Sequence, residues 1–468
     1  MALTIPAPPS PAAALRRAAD ALAARPSLLA AATVLLVCVP TGEKDVSAAV
    51  HVTPADLASL ALVALVGLDL LRGRTPRPAL SRTACALFGA VVLAAAVATV
   101  GSIDPAASLT GFVRLTQVFV LVPAAVICAL RDRTDQRLIL GAFVLAALVQ
   151  GVVGTHQYLT RTGASYIGQP IRAVGTFGAL DVMAMSSVVS FGLLAALALA
   201  LAERGPGGDA RLRRGMFAVA AFLVFPLAVS FSRGSWIATG VAATVLLLRC
   251  DARLAVRGAV LSLAAAVVLA GGFGVGASGV TTRLTSIGSV SAAPDQSVSD
   301  RYDLWGTAER IWQDHPVSGA GPKAFQQLRD SHAPLRLSSG SDAEDASIGF
   351  QREPLLSPHN MYFLVLSEQG LIGILAYAAL FLGLLAGCLR RARGAGTAAL
   401  ALLTWVLVDF LYADIGGTTT VLTSLVLGLA AQVALPARAD VGAPAASRPA
   451  AAVPSGRPGA ARAGVAAS

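Results

Sequence analysis

The sequence predicts an all-α, polytopic membrane protein of about twelve transmembrane helices, with one long outer loop between the ninth and the tenth. Three observations predict it. Of 468 residues, 55% are hydrophobic and only 13% charged, against roughly 25% charged in soluble domains. Apolar runs suited to a bilayer core of about 30 Å recur along almost the whole chain. Basic residues then collect on alternate connecting segments, as the positive-inside rule requires. A soluble multidomain enzyme is excluded. Lys and Arg number 36 against 26 Asp and Glu, a formal net charge of +10. In a soluble chain that excess would point to nucleic acid. Here it reports orientation, and no nucleic-acid partner is expected.

The elements follow in order. Residues 1–26 are Ala/Pro-rich and read as a disordered cytoplasmic segment. The next apolar run lacks a small-residue cleavage site, so it reads as a retained span rather than a signal peptide. Spans one to nine are placed at 27–41, 55–71, 83–101, 109–130, 137–159, 176–202, 215–231, 234–249 and 254–276. The seventh and eighth are split only by Ser232-Arg233-Gly234 and have one long broken helix as their alternative. Residues 277–358 form the extracytoplasmic loop, spans ten to twelve lie at 359–387, 397–413 and 418–435, and 436–468 is a disordered Ala/Pro/Arg/Gly tail. Arginine groups such as Arg72, Arg74, Arg77 and Arg82, or Arg204, Arg211, Arg213 and Arg214, mark inner segments. The short outer ones hold only Lys44, Arg114, Arg161, Arg172 and Arg233. This places the protein in the cytoplasmic membrane with both termini cytoplasmic. Summed by side, the outer face is net negative. An anionic ligand there must depend on a few placed arginines.

The five cysteines (Cys38, Cys85, Cys128, Cys250, Cys388) lie in or just past apolar runs without metal-ligand spacing, so neither zinc nor a disulfide framework is expected. Within the loop, residues 300–315 place Leu304, Trp305, Ala308, Ile311 and Trp312 at helical spacing. Two readings stay open: a helix on the membrane surface with its tryptophans at headgroup depth, or one that caps the span bundle. Pro316 to Gly321 makes a turn, and the polar stretch 329–352 reads as mobile. Asp342-Ala343-Glu344-Asp345 is a metal-ligand set on paper, but such a Ser/Gly-flanked acidic run reads better as solvated loop. No metal and no cofactor are expected.

Polar residues at the outer ends of spans are more selective, because a charge held near hydrocarbon costs energy. The first cluster is Gln169-Pro170-Ile171-Arg172-Ala173-Val174-Gly175-Thr176-Phe177, entering span six, with Asp181 one turn further in. The second is Ser230-Phe231-Ser232-Arg233-Gly234-Ser235-Trp236. For both arginines a snorkelling side chain at the interface is the bland alternative. The third is Ser357-Pro358-His359-Asn360-Met361-Tyr362, where Ser as cap and Pro at the first position mark a helix start. His359 would then sit in the first turn, where the partial positive dipole disfavours imidazolium. At 100° per residue, Gly370 and Gly373 lie about 20° and about −40° from His359 and would let another helix pack beneath it. Glu368 falls about 180° away, so a buried pairing with another helix suits it as well as a place in the site. An ordinary interfacial histidine is the bland reading of His359.

The twelve spans, the long loop after the ninth, the Arg-Gly turn after the seventh, and His359-Asn360 followed by Gly370-Leu371-Ile372-Gly373 together resemble the O-antigen ligase family, within the wider superfamily that includes O-antigen polymerases. Arg301, Leu304-Trp305 and Pro316-Val317-Ser318-Gly319-Ala320-Gly321 look like the loop of that superfamily. The resemblance is strongest over about 165–390. It implies a metal-independent, inverting glycosyltransferase that moves a glycan from a polyprenyl diphosphate carrier to an acceptor hydroxyl at the outer membrane face. By the same resemblance His359 matches the essential loop histidine, and Arg172 and Arg233 match the arginines that engage the diphosphate. Asn360, Trp305, Arg301 and Glu368 are the expected substrate contacts. The acceptor, whether glycan, lipid or protein, is open. A polysaccharide polymerase remains the alternative in the same class. A secondary transporter of a small anion remains the alternative in another, although no internal repeat is visible and the polar residues crowd the outer third.

Overall fold

The computed structural model describes residues 24–40, 52–73, 80–166, 169–204, 207–250, 296–337, 340–345 and 349–437, with the isolated positions 22, 253 and 256. The predicted ninth span, most of the N-terminal segment and almost all of the C-terminal tail lie outside the described residues. What is described is predominantly helical. The apolar helices are α1 (Ser27–Leu36), α2 (Pro54–Leu71), α3 (Arg82–Val100), α4 (Pro105–Ala129), α5 (Arg133–Thr160), α6 (Ala184–Ala202), α7 (Ala210–Ala228), α8 (Arg233–Cys250), α11 (Met361–Arg391), α12 (Thr397–Asp409) and α13 (Thr420–Ala434). Between α8 and α11 stand two more polar helices, α9 (Gln296–Asp314) and α10 (Ala324–His332). Among the described residues, six helices, α2 to α6 and α11, are long and apolar enough to cross a membrane. The remaining apolar helices are shorter or less apolar.

Sequence chemistry accounts for the helix ends. Thr53 and Asp132 open α2 and α5 with capping boxes closed by Asp56 and Asp135, satisfying backbone N–H groups that hydrocarbon would leave bare. At the opposite helix ends, basic residues cover orphan carbonyls: Arg391 donates to Ala434 O and Arg249 to Ala392 O. The arginines that signal orientation therefore also finish helices. In α4 the ladder widens to π geometry over Gln117–Leu121, directly before Pro123, which has no N–H to donate. Arg114, expected in an outer connection, is instead inside α4 and pairs with Asp56 of α2. The most enclosed helix is α6, buried along nearly its whole length between α5, α7, α8 and α12. Hydroxyls stitch it to its neighbours, as expected where apolar burial gives no preference between helix and lipid.

Residues 215–250 are two helices, the first of the two readings above, rather than one broken helix. Other boundaries differ from expectation. Span six begins at Ala184 rather than 176, because residues 161–183 are spent on two short strands, β1 (Ala164–Tyr166) and β2 (Gln169–Arg172), and a 3-10 turn at Ala179–Asp181. These short strands add a small sheet to a mostly helical structure, which remains consistent with the all-α membrane class expected. β1 pairs antiparallel with β3 (Gly340–Asp345), which pairs with β4 (Gly349–Pro354), giving a sheet ordered β2-β1-β3-β4. The stretch 329–352, expected to be mobile, thus contains the end of α10 and most of a hairpin. Its strands register through backbone pairs, which need no apolar alternation. The acidic run Asp342 to Asp345 forms β3, and its side chains lie outside the described residues.

For α9 the capping reading prevails over the membrane-surface one. Leu304, Ala308 and Ile311 are fully buried against Ala324, Phe325 and Leu355, with Phe363 and Leu364 of α11 packed beside them. Trp305 stacks on Phe363 at 5.7 Å and 15° and donates to Pro358 O at 3.0 Å. The indole is engaged with protein on both its face and its N–H.

Candidate functional site

The site is built around the start of α11. Sequence reasoning began this helix at Ser357-Pro358. It begins at Met361, because Asn360 is the better cap: its Oδ1 accepts from the N–H groups of Tyr362 (3.0 Å) and Phe363 (3.1 Å). Ser357 Oγ accepts instead from His359 N–H at 3.3 Å. His359 therefore precedes the helix and takes φ +46°, a conformation that side chains with a Cβ rarely adopt. Such strain persists only where surrounding structure holds it.

That structure is the turn after α12. Four consecutive carbonyls, Phe410 to Ala413, all accept hydrogen bonds from the site. Met361 N–H reaches Phe410 O (2.9 Å) and Ala413 O (3.1 Å), Asn360 Nδ2 reaches Leu411 O (3.1 Å), and Arg301 Nη1 reaches Tyr412 O (2.7 Å). Three of the residues expected as substrate contacts therefore have structural work. Asn360 caps α11 and holds the turn, Arg301 holds the turn from α9, and Trp305 fixes Pro358, the neighbour of His359.

The turn also brings two carboxyl groups that sequence reasoning overlooked. Asp409 Oδ1 and Asp414 Oδ2 are buried and have no hydrogen-bond partner among the described residues. Arg301 has Asp409, Asp414 and Arg233 as charged neighbours, and its burial lowers its pKa from the ordinary guanidinium value. For His359, burial lowers the pKa below 6.5; Asp414 opposes this and Arg301 adds to it. A neutral imidazole is the result. The signal that would have found Asp409, Tyr412 and Asp414 was available: they cluster at the outer end of the span 397–413, the criterion used for Arg172 and Arg233.

Arg233 opens α8, and Gly234 lies against Tyr412, the nearest atom 3.4 Å from where a Cβ would stand. A hydroxyl series anchors this helix start. Ser232 Oγ donates to Ser235 Oγ (3.0 Å), Ser235 Oγ bonds Ser186 Oγ (2.8 Å), Thr239 Oγ1 donates to Ser190 Oγ (2.8 Å), and Trp405 Nε1 donates to Thr239 Oγ1 (3.0 Å). Arg172, at the end of β2, donates from Nε to Ser230 O at 3.1 Å, and the following N–H of Ala173 donates to Val229 O at 3.0 Å. The two arginine clusters, some sixty residues apart in sequence, thus meet at one turn. Asp181 goes elsewhere, its Oδ2 accepting from Thr418 N (3.1 Å) and Thr418 Oγ1 (2.7 Å) before α13.

Glu368 does not join His359. Its carboxyl group accepts from Phe325 N–H at 3.3 Å, at the start of α10. The face shared by His359, Gly370 and Gly373 does not exist either, since α11 breaks at Gly370 (φ +59°, ψ −155°). The chain against Gly370 is a loop rather than a helix. Ala320 N–H reaches Ser367 O (3.0 Å), Gly321 N–H reaches Glu368 O (2.9 Å), and beyond the break Leu371 and Ile372 donate to Pro316 O (3.0 Å) and Val317 O (3.1 Å). The Pro316–Gly321 turn thus satisfies the groups that the break exposes.

Among the described residues no group of three or more His, Cys, Asp or Glu side chains is placed to hold a metal ion. Fold and site define a polytopic helical membrane protein with arginines, a histidine and carboxylates gathered at one end of its bundle. Residues 217–378 match the O-antigen ligase family, which supports the family that the motifs resemble and, with it, a membrane glycan ligase or polymerase using a lipid-linked glycan. No curated protein matches the chain.

Proposed function

We propose that the protein is an O-antigen ligase-like glycosyltransferase of the cytoplasmic membrane, transferring a glycan from a polyprenyl diphosphate carrier to an acceptor hydroxyl at the outer face. In the reaction His359 is the general base and Arg172 and Arg233 bind the diphosphate. The observation that carries this reading is that a strained, half-buried His359 and Arg233 share Arg301 as a charged neighbour, while Arg172 is tied to Ser230 in the turn that leads into Arg233.

The chemistry follows from these groups. The acceptor oxygen attacks the anomeric carbon and loses its proton to the neutral His359 imidazole. The bond from that carbon to the diphosphate oxygen breaks, and polyprenyl diphosphate departs with the electron pair. Guanidinium forks match two phosphate oxygens at once and stay charged at any relevant pH. Arg233 also stands on the first turn of α8, where the helix dipole adds to its attraction for an anion. The imidazolium formed on proton transfer is stabilised by Asp414. Asp409 and Asp414 lie beside Arg301 as acidic neighbours.

The reading has a pH signature. Because the pKa of His359 lies below 6.5, the base is already unprotonated at neutral pH. The acid limb of the kcat/KM profile is therefore expected to have its midpoint below 6.5, with a plateau from pH 7 upward. A limb centred above 7 would remove His359 from the base role. Lys replacements at Arg172 and Arg233 keep charge and lose the fork. Each is expected to raise the donor KM by about tenfold, equivalent to about 1.4 kcal/mol. Unchanged donor KM and rate in both would take them out of the site.

A further inference from the structure

The loop that carries Arg172 into the site is irregular backbone flanked by membrane-crossing helices, and hydrocarbon tolerates such backbone only where protein satisfies its polar groups. Two glutamines of α5 do this. Gln150 and Gln157, seven residues apart, share one helix face. Gln157 Oε1 accepts from Val174 N–H (3.1 Å) and Gly175 N–H (2.8 Å), and its Nε2 donates to Gly175 O (2.9 Å). Gln150 Oε1 accepts from Thr176 N–H (2.9 Å) and its Nε2 donates to Thr176 Oγ1 (2.7 Å). Thr176 Oγ1 passes the chain on to Cys38 O (2.8 Å) in the segment after α1. Gly175 at φ +65° lets the backbone come this close, since a Cβ there would stand 2.0 Å from Gln150 Oε1. Three successive residues, Val174, Gly175 and Thr176, are thereby fixed two to four positions after Arg172, and the intervening Ala173 is tied to Val229.

We propose that Gln150 and Gln157 are positioning residues for Arg172. By holding the 174–176 backbone against α5 they set where the guanidinium meets the Ser230 turn and, on the reading above, the diphosphate of the donor. Neither glutamine touches the diphosphate. Apolar packing alone would leave the loop without register, because the bonds that fix it are made by side-chain amides to backbone. Both α5 positions would read as unexplained polar residues in a membrane helix without this role.

The test is a double-mutant cycle on the purified full chain in detergent micelles, with undecaprenyl diphosphate as the probe. Gln157→Met is expected to weaken its binding by about tenfold and Gln157→Glu, which keeps the acceptor oxygen for Val174 and Gly175, to stay within about threefold of the unmodified protein. In an Arg172→Ala background, Gln157→Met is expected to cost nothing further. If Gln157→Met does not accumulate, Gln150→Met, which leaves the Gln157 bonds in place, carries the same cycle. Full additivity of the two losses, or unchanged affinity in the glutamine variant, would overturn the proposal while leaving the diphosphate reading of Arg172 intact. Unchanged affinity in Arg172→Ala alone would overturn both.

Discussion

His359→Ala is expected to lower the rate of glycan transfer by about 10²–10⁴-fold while leaving donor affinity and folding unchanged. The loss corresponds to roughly 3–5.5 kcal/mol of transition-state stabilisation. Folding is spared for a specific reason. The strained φ of +46° is enforced by the backbone bonds of Met361 and the side-chain bonds of Asn360 and Trp305, none of which involves the imidazole. Alanine keeps the same Cβ and so leaves the strain unchanged. His359→Gly makes a useful companion, since it relieves the strain yet still lacks the base. It should be at least as stable as the unmodified protein and equally inactive. Transfer at full rate in either variant would remove His359 from the chemistry.

Gly370→Ala is expected to have the largest effect on folding, a loss of roughly 3 kcal/mol or more. The position has φ +59° and ψ −155°, a region open to glycine alone. A Cβ there would stand 2.5 Å from Val317 O and 2.6 Å from Gly319 N. Both atoms are backbone, so no side chain can swing aside. The substitution would force the Pro316–Gly321 turn off α11 and leave Ser367 O, Glu368 O and the N–H groups of Leu371 and Ile372 without partners. Because the same turn leads from α9 into α10, the grip of Arg301 on Tyr412 would loosen with it. Purified Gly370→Ala should unfold at a distinctly lower temperature and lose activity in parallel. An unchanged melting temperature would mean the break is not required.

How far the site was legible in sequence depended on the range of the interactions that make it. Helices came through because hydrophobic content is local. The start of α11 was placed three residues early because two cap signals, Ser357-Pro358 and Asn360, compete within four positions and only geometry shows which oxygen finds two N–H groups. The sheet was invisible for another reason: Ala164 pairs with Asp345 across nearly the whole middle of the chain, and neither segment has the alternation that marks a buried strand. His359, Arg172 and Arg233 stand out in sequence through their position at span ends. Asp409 and Asp414 meet the same criterion. The assignments of Asn360, Trp305 and Arg301 as substrate contacts rested on resemblance alone, which conveys that a residue matters without distinguishing contact from support. Their hydrogen bonds supply that distinction.

Reversing the charge at the inner arginine segments would test orientation, but the chemistry has a more direct test. A general base at His359 requires a single displacement: one attack at the anomeric carbon, with no glycosyl-enzyme intermediate. The measurement is the anomeric configuration of the transferred glycan, read by nuclear magnetic resonance after one turnover by purified protein in EDTA. Transfer at full rate with the configuration inverted relative to the donor is the expected result. A retained configuration, or transfer that stops in EDTA and returns with a divalent ion, would contradict it.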